Sequence, residues 1–399
     1  MKITGIETIR LGEFPNLIWV RVETDEGITG LGESFYRPEA VEAHIHATVA
    51  PQLLGEDPLR IDWISRKLMN DYVGFASSGA EMRAASAIDV ALWDLFGRAV
   101  GQPVHQMLGG LSRDKVRTYN TCAGYRYVRQ SVGQATQNWG IDQQTGPYED
   151  LDAFLNRADE LAHSLLEEGI TGMKIWPFDF AAERTGGLYI APDELATALG
   201  PFEKIRRAVG SKMDVMVELH SLWNVTAAKR LFKAIEPFEP FWFEDPIKMT
   251  NMDALAEVAR STRVPICASE TLAGRPAFRE MMAKHACGIC MLDIGWVGGL
   301  SEAKKIATMA EAHQLPVAPH DCTGPIVYVA SCHLSLNAPN ALIQESVRAF
   351  YTGWYKELVT ELPEVRDGHI HPMSGPGLGT ELLPDITKRP DAVVRRTER

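Results

Sequence analysis

Within these 399 residues there is no apolar run of membrane-spanning length, which argues against a helical membrane span. The first ten residues, MKITGIETIR, alternate polar and apolar side chains and lack the apolar segment of a secretory leader, so a cytoplasmic protein is expected. Cationic residues are in deficit: 40 Lys and Arg against 52 Asp and Glu leave a formal net charge of −12. That balance argues against a nucleic-acid partner, because phosphate binding needs a surplus of Lys and Arg. An anionic small substrate would need a local cation instead. The six cysteines, Cys122, Cys267, Cys287, Cys290, Cys322 and Cys332, are scattered through apolar segments, so reduced core thiols are expected rather than a disulfide framework. CGIC (287–290) lacks the second pair a structural zinc site needs. WVGGLSE (296–302) lacks a Walker lysine and reads as a loop-to-helix turn. No internal repeat stands out.

What is present is a globular composition, 45% hydrophobic and 23% charged. Residues 1–33 read as an antiparallel meander turning at TDEG, and from Pro38 to about Gly101 the apolar period becomes helical, as in RAASAIDVALWDLFGRAV. Beyond Val116, eight short apolar runs alternate with helical stretches: 116–122, 172–176, 213–220, 241–246, 264–270, 290–295, 315–320 and 341–345. That alternation predicts βα units and an α/β barrel of the TIM type. The expected organisation is an α+β domain over 1–115, a barrel over 116–357, and a Pro- and Gly-rich segment over 358–399 that returns to cover the first domain. The polar stretch at about 125–150 is long for a βα connection and is expected to act as a lid or an oligomer contact.

Most of the eight strands end in a polar residue where a buried strand should stay apolar. In MVELHSLWN (216–224), period-two alternation would send Glu218 and His220 to one face. Glu218, Glu244 and Glu270 follow at equal intervals (244 − 218 = 26, 270 − 244 = 26), one βα unit each, which sets them side by side at one mouth. Three carboxylates in such a place repel one another unless a cation joins them, and an all-oxygen set favours Mg²⁺ over zinc. Lys174, Asp293, His320 and Glu345 end further strands. A carboxylate on one imidazole nitrogen raises the basicity of the other, so Asp293 and His320 read as a dyad. No comparable partner for His220 is evident.

These motifs in order, with TDEGITGLGE, SAIDVALWDLFGRAVGQPVHQMLGG, FEDP and the late GPGLG, resemble the enolase superfamily, mandelate racemase subgroup, over nearly the whole chain. The resemblance implies a modified (β/α)7β barrel with an N-terminal α+β capping domain and Mg²⁺ on Glu218, Glu244 and Glu270. It also implies His320 with Asp293 as the base that removes a proton alpha to a carboxylate. The racemases of that subgroup carry Lys-x-Lys on the second strand. Here the motif is KIW, with Trp176 filling the place of the second lysine, so lysine-based racemisation is not expected. His220 matches the general acid of the D-galactonate dehydratases and related acid-sugar dehydratases. The implied reaction is dehydration of an aldonic or aldaric acid to a 2-keto-3-deoxy acid through an enediolate. Lys174 would sit near the substrate carboxylate, with Glu345 as a hydrogen-bond partner if protonated. An epimerase, racemase or cycloisomerase using the same enediolate is the alternative, and a homo-oligomer is implied. Substrate contacts are expected from the cap at 12–18 and 70–79.

Overall fold

The computed structural model describes residues 1–69, 78–141, 143 and 146–399. Strands β1 (Ile3–Leu11), β2 (Leu17–Thr24) and β3 (Thr29–Phe35) form the predicted meander. The far end of the chain completes the sheet: Ala392–Glu398 pairs antiparallel with β1 from Gly5 against Glu398 to Leu11 against Ala392. Another part of the C-terminal segment stays with the barrel, where the hairpin of Val365–Arg366 and His369–Ile370 pairs through Ile370 with Val116. The 21-residue helix Ala80–Val100 packs on β3. That packing explains the glycines of TGLGE, because a Cβ on Gly32 would stand 1.9 Å from the Ala87 carbonyl oxygen and one on Gly30 2.0 Å from that of Ala91. Only bare backbone lets strand and helix approach so closely.

The second sheet is parallel around β4 (Val116–Thr121), β5 (Gly172–Ile175), β6 (Asp214–Glu218), β7 (Trp242–Glu244), β8 (Ile266–Ala268) and β9 (Ile289–Cys290). The seventh place is held by one residue, Val317, bridged in parallel to Cys290 and to Ala341, and β10 (Gln344–Ser346) then pairs with β4. Eight places thus run around the ring. Strand lengths fall short of the sequence expectation because the chain turns away as soon as it reaches the mouth: His220 and Ser221 adopt positive φ of 48° and 58° directly after β6. Asp293 lies beyond β9 as the residue before the short helix Ile294–Val297.

The interior is layered. Tyr119, Met216, Trp242, Cys267, Ile289, Met291, Ala318 and Ile343 form one buried apolar cluster inside the ring. Two residues further along their strands, Met216 gives way to Glu218 and Trp242 to Glu244. Alternation therefore carries the inward-facing positions from an apolar plug to a polar layer at the carboxyl ends of the strands, where barrel sites are built. The cap joins the barrel close by. Glu33 on β3 accepts from Val327 N at 3.0 Å and from Trp19 Nε1 at 2.7 Å, and Gly298 and Gly299 turn with φ of 114° and 80° against the long cap helix. Ser86 Oγ accepts from Gly298 N, and Asp89 Oδ1 from Ser301 N, both at 2.9 Å. The WVGGLSE stretch is a structural joint, as a turn reading expects. No helix among the described residues is long and apolar enough to cross a membrane.

Candidate active site

Lys174, Glu218, Glu244, Glu270 and Glu345 converge at the carboxyl ends of the barrel strands. The Lys174 ammonium lies 2.5 Å from Glu244 Oε1, 2.8 Å from Glu345 Oε1 and 3.4 Å from Glu218 Oε2. One carboxylate oxygen from each of Glu218, Glu244 and Glu270 lies within 4.8 Å of the others, and all three residues are buried. Oε2 of Glu218 accepts no hydrogen bond although it is buried, while its Oε1 takes the backbone N–H groups of Leu219 (2.9 Å) and His220 (2.6 Å). Burial pushes the Glu244 carboxyl well above the usual range, and neighbouring Glu218 adds to the push against the pull of Lys174. Asp245, the next residue and also buried, is raised in the same way by burial and by Glu270. So much crowded negative charge around a single ammonium, with an oxygen still unsatisfied, fits a hard divalent cation on Glu218, Glu244 and Glu270.

Both histidines end in dyads. His320 Nδ1 lies 2.7 Å from Asp293 Oδ2, and its Nε2 lies 2.9 Å from Glu270 Oε2. Burial would lower this imidazole, but Glu270 and Glu345 outweigh it and raise it well above its ordinary value. The expectation that only His320 has an orienting carboxylate is corrected here, since His220 Nδ1 lies 2.6 Å from Asp179 Oδ2. Burial opposes the charge on His220, while Asp179 and Glu218 raise it to about 9. A second correction concerns the path to His220. Strand alternation ends at Glu218, and the left-handed turn at 220–221 is what directs the ring.

Glu345, expected as a hydrogen-bond partner if protonated, meets three groups here. Its Oε1 receives Lys174 and the Thr121 hydroxyl, and its Oε2 receives Asp321 N at 3.1 Å, so these contacts use it as an acceptor that anchors the lysine. Trp176 is buried as expected, packed edge-on to His220 with ring centroids 5.8 Å apart and at 5.1 Å from Phe154.

The cavity between these groups is lined by Lys174, Trp176, His220 and His320 and by Tyr127 and Gln134 from the polar stretch after β4. At about 20 Å³ it has room for a water molecule but not for a sugar acid. The loop that carries Tyr127 and Gln134 therefore closes the mouth. Its anchor is Asn16, whose Nδ2 donates to Val128 O at 2.9 Å and Ser131 O at 3.1 Å and whose Oδ1 accepts from Gly133 N at 3.1 Å. The cap segment 12–18 thus holds the lid rather than lining the cavity. Of the other expected cap contact, 70–79, residues 70–77 lie outside the described residues. All six cysteines are free thiols, Cys287 and Cys290 among the buried ones.

Sequence reasoning missed Asp179, Asp245, Thr121 and Asn16. A lone acid in the apolar run WPFDF was the available signal for Asp179, and the D of FEDP for Asp245. Thr121 and Asn16 act through contacts that only the closed ring and the docked cap create.

An α+β cap over a barrel mouth with three clustered glutamates and a His–Asp dyad is the architecture of the enolase superfamily. Residues 12–109 match the mandelate racemase / muconate lactonizing enzyme N-terminal domain, and residues 157–386 match the enolase C-terminal domain-like family. The chain belongs to the mandelate racemase/muconate lactonizing enzyme family, and it is an enzyme. It is 32% identical over 395 residues to the D-galactonate dehydratase of Pectobacterium atrosepticum, covering 97% of this chain and 93% of that one. It is 31% identical over 397 residues to the D-galactonate dehydratase of Xanthomonas axonopodis pv. citri, covering 98% and 94%. Among solved structures, an enolase of the mandelate racemase subgroup from Agrobacterium tumefaciens, with a succinimide residue, sodium and phosphate, is 54% identical with a TM-score of 0.88 over 100% of this chain and 99% of that one. An enolase protein from environmental sequencing of the Sargasso Sea is 46% identical with a TM-score of 0.89 over the same shares.

Proposed function

We propose that the chain is a hydro-lyase that removes water from an aldonic or aldaric acid to give a 2-keto-3-deoxy acid. The observation that carries this reading is the placement of two Asp-held imidazoles at one cavity. His220 follows the third strand of the ring and His320 stands at the seventh place, four places on and therefore across the mouth. Dehydration needs such a pair, a base for the alpha proton and an acid for the departing hydroxyl.

Mg²⁺ held by Glu218, Glu244 and Glu270 would supply Lewis-acid stabilisation of the negative charge that builds on the substrate carboxylate. Lys174, fixed by Glu345, adds a positive charge on the same side. With Glu270 engaged as a metal ligand, Nε2 of His320 would be free of that carboxylate, and the neutral imidazole takes the alpha proton there, while Asp293 on Nδ1 stabilises the imidazolium that results. His220, in its protonated form with Asp179 on Nδ1, gives its Nε2 proton to the beta hydroxyl, which leaves as water. The enol that remains tautomerises to the 2-keto acid. Tyr127 and Gln134 cover the site and exclude bulk water while this happens.

A panel of aldonic and aldaric acids, assayed with semicarbazide for 2-keto acid in the presence of Mg²⁺, tests the reading. One or more members should give the 2-keto-3-deoxy product. An isomer of unchanged mass would favour an epimerase or cycloisomerase instead, and no turnover across the panel would contradict the proposal.

A further inference from the structure

Among the described residues, His220 is the hydrogen-bond partner of the buried Asp179 carboxylate. Asp179 opens the helix Asp179–Thr185 but makes no side-chain capping bond there. Its side chain is 6% exposed, Oδ2 lies on His220 Nδ1, and Oδ1 has no hydrogen-bond partner. A buried carboxylate with one oxygen unsatisfied is costly, so the bond to the imidazole is the interaction that accounts for it. The imidazole also packs against Trp176 in a T-shaped contact, with ring centroids 5.8 Å apart.

The same construction recurs across the barrel. Asp293 stands just before the short helix that follows its strand, where Asp179 is the first residue of its helix, and it too makes no capping bond and holds Nδ1 of a histidine from the next place in the ring. In both cases the carboxylate comes from one strand position (second, sixth) and the imidazole from the following one (third, seventh). The two dyads are therefore counterparts half a turn apart.

We propose that Asp179 is a positioning residue for the elimination step: by accepting the Nδ1–H of His220 it fixes the ring so that Nε2 carries the transferable proton into the cavity. Its action runs through His220, and it has no part in removing the alpha proton. This inference rests on the dehydratase reading, and its test separates the two.

The test combines Asp179→Asn, His220→Asn and the double variant, with each protein's melting temperature checked against the wild type. On the acid identified by the panel, Asp179→Asn should lower dehydration about 100-fold or more while exchange of the alpha hydrogen in D₂O stays within about threefold. The double variant should be no slower than His220→Asn, because a residue acting through another adds nothing once the other is gone. Independently of turnover, ¹⁵N-histidine spectra of the whole protein should show His220 with a hydrogen-bonded proton on Nδ1, and Asp179→Asn should abolish that signal. Retained dehydration, additive losses, parallel loss of exchange and dehydration, or a wild-type spectrum without the Nδ1 proton would each overturn the assignment. A wild type that turns over none of the acids would instead defeat the dehydratase reading, and the Nδ1 signal would still report on Asp179.

Discussion

The ammonium of Lys174 stands 2.5 Å from Oε1 of Glu244, so a buried lysine is the counter-charge of the carboxylate cluster. Removing one partner of a buried charge pair costs about 3–5 kcal/mol, because the other charge is left uncompensated. Lys174→Met should therefore lower the melting temperature by several degrees without divalent cation. Added Mg²⁺ should raise it more than in the wild type, since a cation now relieves the repulsion that the lysine no longer does. Scanning calorimetry with and without Mg²⁺ reads both effects, and equal Mg²⁺ responses would contradict the counter-charge role.

The reverse holds for the proposed metal ligands. Glu244→Gln keeps the shape and removes a negative oxygen, so Mg²⁺ affinity should fall tenfold or more by titration calorimetry and dehydration should stop, while the protein still folds. Full activity after chelation would contradict the cradle assignment.

Asn16 makes three hydrogen bonds to the loop that covers the mouth. Asn16→Ala should loosen that loop by about 1–3 kcal/mol. The expected signs are faster proteolytic cleavage within residues 128–138 and a KM raised about tenfold, with the melting temperature of the barrel little changed.

Where cap meets barrel, His333 Nδ1 lies 3.1 Å from His105 Nδ1 and 3.3 Å from His105 N, and its Nε2 lies 3.1 Å from Leu378 O. Nε2 donates to the carbonyl and Nδ1 accepts, so the ring is neutral. Burial lowers its pKa from 6.5 to about 4. With the folded value below the unfolded one, the stability it contributes is present above pH 6.5 and is lost as pH falls towards 4, about 3 kcal/mol in all. The unfolding free energy of His333→Gln should fall less steeply than that of the wild type across this window. Identical slopes would show that His333 does not titrate there.

Much of the site was legible because chemistry interrupts an otherwise apolar pattern. Glu218, Glu244 and Glu270 end runs such as FWFE, where an isolated charge has no place without a function. Asp179 was not legible in the same way, since it follows its strand by a turn and pairs with a histidine of the next strand, a contact that the parallel pairing of β5 with β6 creates. The seventh strand was read as six residues and is a single bridged position at Val317, because the chain leaves the ring to place His320. The cover that Tyr127 and Gln134 place over the mouth had composition behind it, but its latch is Asn16, far away in sequence, which no local pattern reveals.

The most direct test of the account is deuterium exchange in the two histidine variants. If His320 removes the alpha proton and His220 only protonates the departing hydroxyl, His220→Asn incubated with substrate and Mg²⁺ in D₂O should form no 2-keto acid yet wash deuterium into the alpha position of recovered substrate, while His320→Asn shows neither exchange nor product. Product formation by His220→Asn at the wild-type rate, or exchange by His320→Asn, would contradict it.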